Sequence, residues 1–102
     1  MRVEQIGLAT LYLADAREVT PKLSVDTVFT SPPYGQQRDY GKKINDWREL
    51  VSGVISPFID NGQTQILVNL GLIHRDGELI QYWQPFLEDM KSAQWRLFGW
   101  YV

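Results

Sequence analysis

The stretch Thr30-Ser31-Pro32-Pro33-Tyr34-Gly35 carries the most specific chemistry in this chain. Two consecutive prolines fix φ at both positions and supply no N–H, so they end a strand ladder and leave a rigid, narrow turn. Carbonyl oxygens in such a turn have no competing donors beside them, and Tyr34 adds a flat amphipathic ring. A fixed acceptor next to an aromatic plane suits a planar base bearing an exocyclic amino group. The ring stacks on the base, while a carbonyl and the Ser31 hydroxyl accept the amino hydrogens. The same six residues also suit a strand-terminating turn with a tyrosine packed over it, and taken alone they favour that plainer account.

Other polar candidates are weaker. Asp15 follows an apolar stretch and suits a helix N-cap or turn. Asn69 interrupts an apolar run and requires a hydrogen-bond partner, either a neighbour at the sheet end or a bound base. His74 is the single histidine; with no second histidine and no clustered carboxylates it is a poor metal ligand, and no metal site is expected. A serine nucleophile at Ser31, with His74 and Asp15 or Asp76, lacks the glycines of a nucleophile elbow. Arg38, Lys42 and Lys43 can meet phosphates, though Asp39 and Asp46 dilute their charge.

The elements that must position these residues alternate in type. Residues 9–14 and 25–30 are short and rich in strand formers. Residues 17–23 read as a single helical turn or loop between them. Trp47, Leu50, Val51, Val54, Ile55, Phe58 and Ile59 recur at helical spacing, with Asp46 and Glu49 as a capping box, Pro57 in the last turn and Asn61-Gly62 as the stop. Residues 65–72 read as a strand covered on both faces. Leu79, Tyr82, Trp83, Phe86, Leu87 and Met90 form a second helical face, capped by Asp76 and bent at Pro85. Residues 95–102 are aromatic and strand-prone, and no turn or polar tail closes them.

This order predicts an α/β fold, a mostly parallel sheet with flanking helices. Ligands of such sheets bind beyond the carboxyl ends of the strands, where Asp15, the Ser31 turn and residues 69–76 would share one rim. The 102 residues suffice for one domain. Twelve acidic against ten basic side chains give a net charge of -2, which argues against a chain that grips DNA or RNA tightly by phosphate contacts alone. With no cysteine, disulfides and thiolate chemistry are excluded. No apolar run is long enough to span a bilayer and no signal sequence begins the chain, so a cytoplasmic protein is expected.

Asp15 after a strand, then the strand 25–30 running into Ser31-Pro32-Pro33-Tyr34, resembles the opening of the beta-group DNA amino methyltransferases. Helix, strand Ile66-Leu67-Val68-Asn69-Leu70-Gly71, helix, and the closing Gly99-Trp100-Tyr101-Val102 continue the pattern from about Ala9 onward. The resemblance implies a partial Rossmann-like methyltransferase fold and transfer of a methyl group from S-adenosylmethionine to cytosine N4, preferred over adenine N6. Ser31 and Pro32 would hold the target amino group, Pro33 would keep the turn rigid, and Tyr34 with Gly35 would meet the flipped base, with Asn69 beside it. Asp15, Ala16, Thr30 and Ser31 would line the cofactor, a role that for Asp15 stands level with helix capping.

The departure from that family is large. Its Phe-x-Gly-x-Gly cofactor segment has no counterpart, because none of the eight glycines forms a Gly-x-Gly. The chain therefore looks like the front, catalytic-loop portion of such an enzyme, a single incomplete domain over 1–102. It is expected to bind S-adenosylmethionine weakly or not at all, and to be inactive alone. DNA would be a partner of the complete enzyme. The missing strands predict self-association through exposed edges, or direct pairing of 9–14 with 25–30. Two alternatives stand beside this reading: a non-catalytic remnant or interaction module, and a methyltransferase acting on a glutamine side chain or an RNA base.

Overall fold

The computed structural model describes residues 1–32 and 44–100, with the backbone alone at 44 and 45. The chain opens with a hairpin of β1 (Arg2–Ile6) and β2 (Ala9–Leu13), antiparallel with Arg2 opposite Leu13 and Ile6 opposite Ala9. The connection is two residues long, and Gly7 at φ +58° supplies the left-handed position that begins such a turn. A short α1 (Ala16–Val19) follows, then a 3-10 turn over Thr20–Lys22 with Pro21 at its start. The Thr20 hydroxyl is buried and donates to the Val54 carbonyl at 2.6 Å, tying this turn to the next helix.

β3 (Thr27–Thr30), α2 (Ile44–Ile55) and β4 (Gln65–Val68) form one strand–helix–strand unit. The two strands are parallel, with Val28 opposite Ile66, Phe29 opposite Leu67 and Thr30 opposite Val68. The ladder runs past both ends: Gln65 N–H donates to the Asp26 carbonyl and Asn69 N–H to the Thr30 carbonyl, each at 2.9 Å. Before β4, the Thr64 hydroxyl donates to the Val25 carbonyl at 2.8 Å and the Asn61 amide to the Asp26 carboxylate at 2.9 Å. These bonds fix where β4 begins relative to β3.

β5 (Ile73–Arg75) and β6 (Glu78–Ile80) make a second hairpin, turned by Asp76 at φ +52° and Gly77 at φ +76°. Two successive positive φ values define the turn that Asp-Gly favours. α3 (Gln84–Ser92) then packs on α2. Trp47, Val51 and Ile55 of α2 meet Ile73, Tyr82, Trp83 and Phe86 in one buried cluster, with Ile66 and Val68 of β4 packed against it. Trp47 stands edge-on to Tyr82 at 4.9 Å and to Phe86 at 5.9 Å, the geometry that ring quadrupoles prefer. Arg48 grips Asp89 through two hydrogen bonds of 2.8 and 3.0 Å, and Ser52 donates to the same carboxylate at 2.6 Å.

The expected fold class is overturned. Among the described residues there are three separate two-stranded sheets and three helices, and no extended parallel sheet with helices on both faces. Among the described strands β3–β4 is the one parallel pair, with a single parallel bridge between Ser24 and Ile59 before it; β2 pairs with β1 rather than with residues 25–30. The described residues build no parallel sheet of Rossmann type, whole or partial, so the expected methyltransferase architecture is not found in them. Residues 95–100 form no strand pairing, and 101–102 lie outside the described residues.

Several element boundaries also shift. α2 starts at Ile44 and stops at Ile55, so Asp46 lies in its first turn rather than capping it, and Pro57 follows the helix. Asp76 sits in the β5–β6 turn and caps no helix, while Leu79 belongs to β6. Pro85 occupies the first turn of α3, where a missing N–H costs nothing, so no bend results. β4 is covered on one face only: Ile66 and Val68 are half-buried and Leu67 is exposed.

Candidate functional site

Ser31 and Asn69 occupy equivalent places at the carboxyl ends of the parallel strands β3 and β4. Asn69 N–H bonds the Thr30 carbonyl, which extends the ladder by one rung and carries both side chains to the same rim. There the Asn69 Nδ2 lies 3.5 Å from Ser31 Oγ, a long and weak donor–acceptor contact. Ser31 and Asn69 are exposed, Thr30 and Pro32 half-buried. Pro32 restricts Ser31 to extended backbone at the strand end. Ser31 Oγ has two acceptor positions and Asn69 takes at most one. Pro33, Tyr34 and Gly35, expected to form the rest of the turn and its stacking ring, lie outside the described residues, as do Arg38, Lys42 and Lys43.

Asp15 has a different role in the structure. Its carboxylate caps α1 by accepting from the Arg17 N–H at 3.0 Å, and the Arg17 guanidinium holds both oxygens, Nε to Oδ1 at 3.0 Å and Nη2 to Oδ2 at 2.6 Å. These hydrogen bonds from Arg17 lower the Asp15 pKa from 3.8 to about 2 and raise that of Arg17. The stem of Arg17 lies against α2, its Cδ 3.3 Å from where a Cβ on Gly53 would stand. Both carboxylate oxygens are therefore already occupied. Ala16 is the exposed first residue of α1 and presents no polar side chain.

The described residues do not fit S-adenosylmethionine. Asp15 is engaged by Arg17, and no glycine-rich loop follows any strand to approach a ribose or an amino-acid tail. No group of His, Asp and Glu among the described residues could hold a metal ion. His74 and Arg75 are exposed on β5, His74 opposite Leu79 and Arg75 opposite Glu78. No helix of the described residues is long and apolar enough to cross a membrane.

The rim thus joins Ser31 and Asn69; the structure gives Asp15 an Arg17 partner instead, and Asp76 the tip of a hairpin. The Arg48–Asp89–Ser52 tie was missed in sequence. Its partners are 41 and 37 residues apart, and three polar side chains on two helices form no local pattern. No family model, curated protein or solved structure matches this chain.

Proposed function

We propose that this chain carries the amino-group-binding portion of a DNA amino methyltransferase, directed to cytosine N4 in preference to adenine N6. The reading rests on one observation, the Ser31–Asn69 pair at the shared end of a parallel strand–helix–strand unit, with the Pro32-Pro33-Tyr34 sequence directly after it. It does not rest on an overall methyltransferase fold. Ser31 Oγ accepts one amino hydrogen of the base, Asn69 supports that oxygen from the sheet side, and Tyr34 supplies the stacking ring. The methyl donor in this reading is S-adenosylmethionine; since its site is not built by the described residues, no step is routed through it. DNA is the macromolecular substrate, and a net charge of -2 leaves its backbone to be held by something other than this chain.

A base held by stacking, worth about 1–3 kcal/mol, and by one or two hydrogen bonds binds in the millimolar range. The test is an NMR titration of the 102-residue chain with deoxycytidine, deoxyadenosine and deoxyuridine. The amides of Ser31 and Asn69 should shift at about 5–10-fold lower concentrations of the two amino-bearing nucleosides than of deoxyuridine, which keeps the stacking and lacks the amino hydrogens. Equal response to all three, or none, would reject the reading. A second reading, a non-catalytic interaction module, is favoured by the Asp15 carboxylate being closed off by Arg17. It predicts no nucleoside response at either amide.

The expected self-association through strand edges belongs with these proposals.

A further inference from the structure

The β1–β2 hairpin is exposed along all ten of its strand residues. Its register puts Ile6, Leu11 and Leu13 on one face, together with Ala9, Arg2 and Glu4. An isolated two-stranded hairpin is marginal in water unless a face is packed. The β3–β4 pair has the converse deficit. Val28, Thr30, Ile66 and Val68 turn towards the helices, while Phe29 and Leu67, directly opposite each other, stand bare on the outer face with Thr27 and Gln65. Ile6, Leu11, Leu13, Phe29 and Leu67 range from 43% to 77% exposed.

We propose that two copies of this chain associate reciprocally, the apolar hairpin face of each covering the outer β3–β4 face of the other. Area selects this arrangement. At about 100 Å² per aliphatic and about 200 Å² per phenylalanine side chain, these exposures amount to roughly 400 Å² of apolar surface per copy. A standard interface covers about 800 Å² per partner, a little over half of it apolar, so about 450 Å² is needed. Hairpin-to-hairpin packing would cover the three hairpin side chains alone, about half that amount, and would leave Phe29 in water.

Charge permits the contact as well. On the hairpin face Arg2 and Glu4 neutralise each other at 2.7 Å, and among the described residues the receiving face adds the uncharged Thr27 and Gln65. The described side chains of the two faces therefore bring no unpaired charge into the contact. The outer edge of β2, Ala-Thr-Leu-Tyr-Leu, has neither charge nor proline to discourage pairing.

Sedimentation of the full chain between about 10 and 500 μM tests this, with a dimer expected to be populated within that range. Leu11→Asp on the hairpin and Phe29→Asp on the sheet should each weaken the dimer at least tenfold. An equimolar mixture of the two variants should recover part of the association, because one of the two contacts in the mixed dimer joins an unaltered hairpin to an unaltered face. Leu67→Lys replaces Phe29→Asp if circular dichroism shows the latter unfolded. A wild-type monomer at 500 μM, a dimer insensitive to Phe29→Asp, or mixing without recovery would each overturn the proposal.

Discussion

Replacing Asp89 by alanine removes the one side chain that α2 grips through both Arg48 and Ser52. Hydrogen bonds from Arg48 and Ser52 lower the Asp89 pKa from 3.8 to about 2. At 1.36 kcal/mol per pH unit, that difference sets a ceiling of roughly 2.4 kcal/mol on the stability carried by the ionised form. The Asp89 side chain is 28% exposed and that of Arg48 46%, so solvent screening reduces this to about 1 kcal/mol. The buried Ser52 hydroxyl also loses its acceptor, adding about 1 kcal/mol. The expected loss near neutral pH is about 2 kcal/mol, a fall in Tm of roughly 8–15 °C for a domain of this size. The sign with pH follows from a lowered folded pKa. The ion-pair share is complete above the unfolded value of 3.8 and is lost as pH falls towards 2. Thermal melts of both proteins at pH 6 and pH 2.5 should therefore show the gap narrowing by about two-thirds of that share, roughly 0.7 kcal/mol, at the lower pH. A constant gap, or a variant as stable as wild type at pH 6, would refute the assignment.

Other consequences are as direct. Trp47→Ala deletes a side chain that is 3% exposed and edge-on to two rings, and should cost about 3–5 kcal/mol, read as loss of the cooperative denaturant transition or a large fall in its midpoint. Tyr82→Phe removes the hydroxyl that donates to the Gly71 carbonyl at 2.6 Å, and should lower stability by about 1 kcal/mol in urea melts. Gly77→Ala places a Cβ at φ +76° in open space, so backbone strain alone should cost about 1–2 kcal/mol. Calorimetry with S-adenosylmethionine should show no micromolar binding; such binding would overturn the expectation that this chain holds the cofactor weakly or not at all.

What the sequence disclosed was local periodicity. The helical spacing of Trp47, Val51 and Ile55 identified the face of α2 that builds the core, and the β-branched runs placed β2, β3 and β4 to within a few residues. The α/β order of elements then implied a parallel sheet, and this was wrong. Order does not fix pairing: β2 is satisfied by β1, whose charged Arg2 and Glu4 hide a strand from a search for apolar runs. Gly7 was the available signal there. At Asp76-Gly77 the sequence suggests a helix cap where the structure has a hairpin turn, because Leu79 and Trp83 fall four apart, a spacing that strand and helix share over so short a stretch. Asp15 was legible as an N-cap, and Arg17 two residues on was the sign that its carboxylate would be occupied. Ser31 and Asn69 were each singled out for their chemistry; that they meet depended on the parallel register of β3 and β4, which no single segment encodes.

The account turns on Ser31 Oγ as an acceptor for amino hydrogens. The most direct measurement compares deoxycytidine with its N4,N4-dimethyl derivative, which keeps the stacking ring and has no amino hydrogen, on the wild-type chain and on Ser31→Ala. Wild type should bind deoxycytidine about 5–10-fold more tightly than the dimethyl form, the worth of one hydrogen bond of about 1–1.4 kcal/mol. Ser31→Ala should bind the two equally. The same preference persisting in Ser31→Ala, or no preference in wild type, would contradict the account.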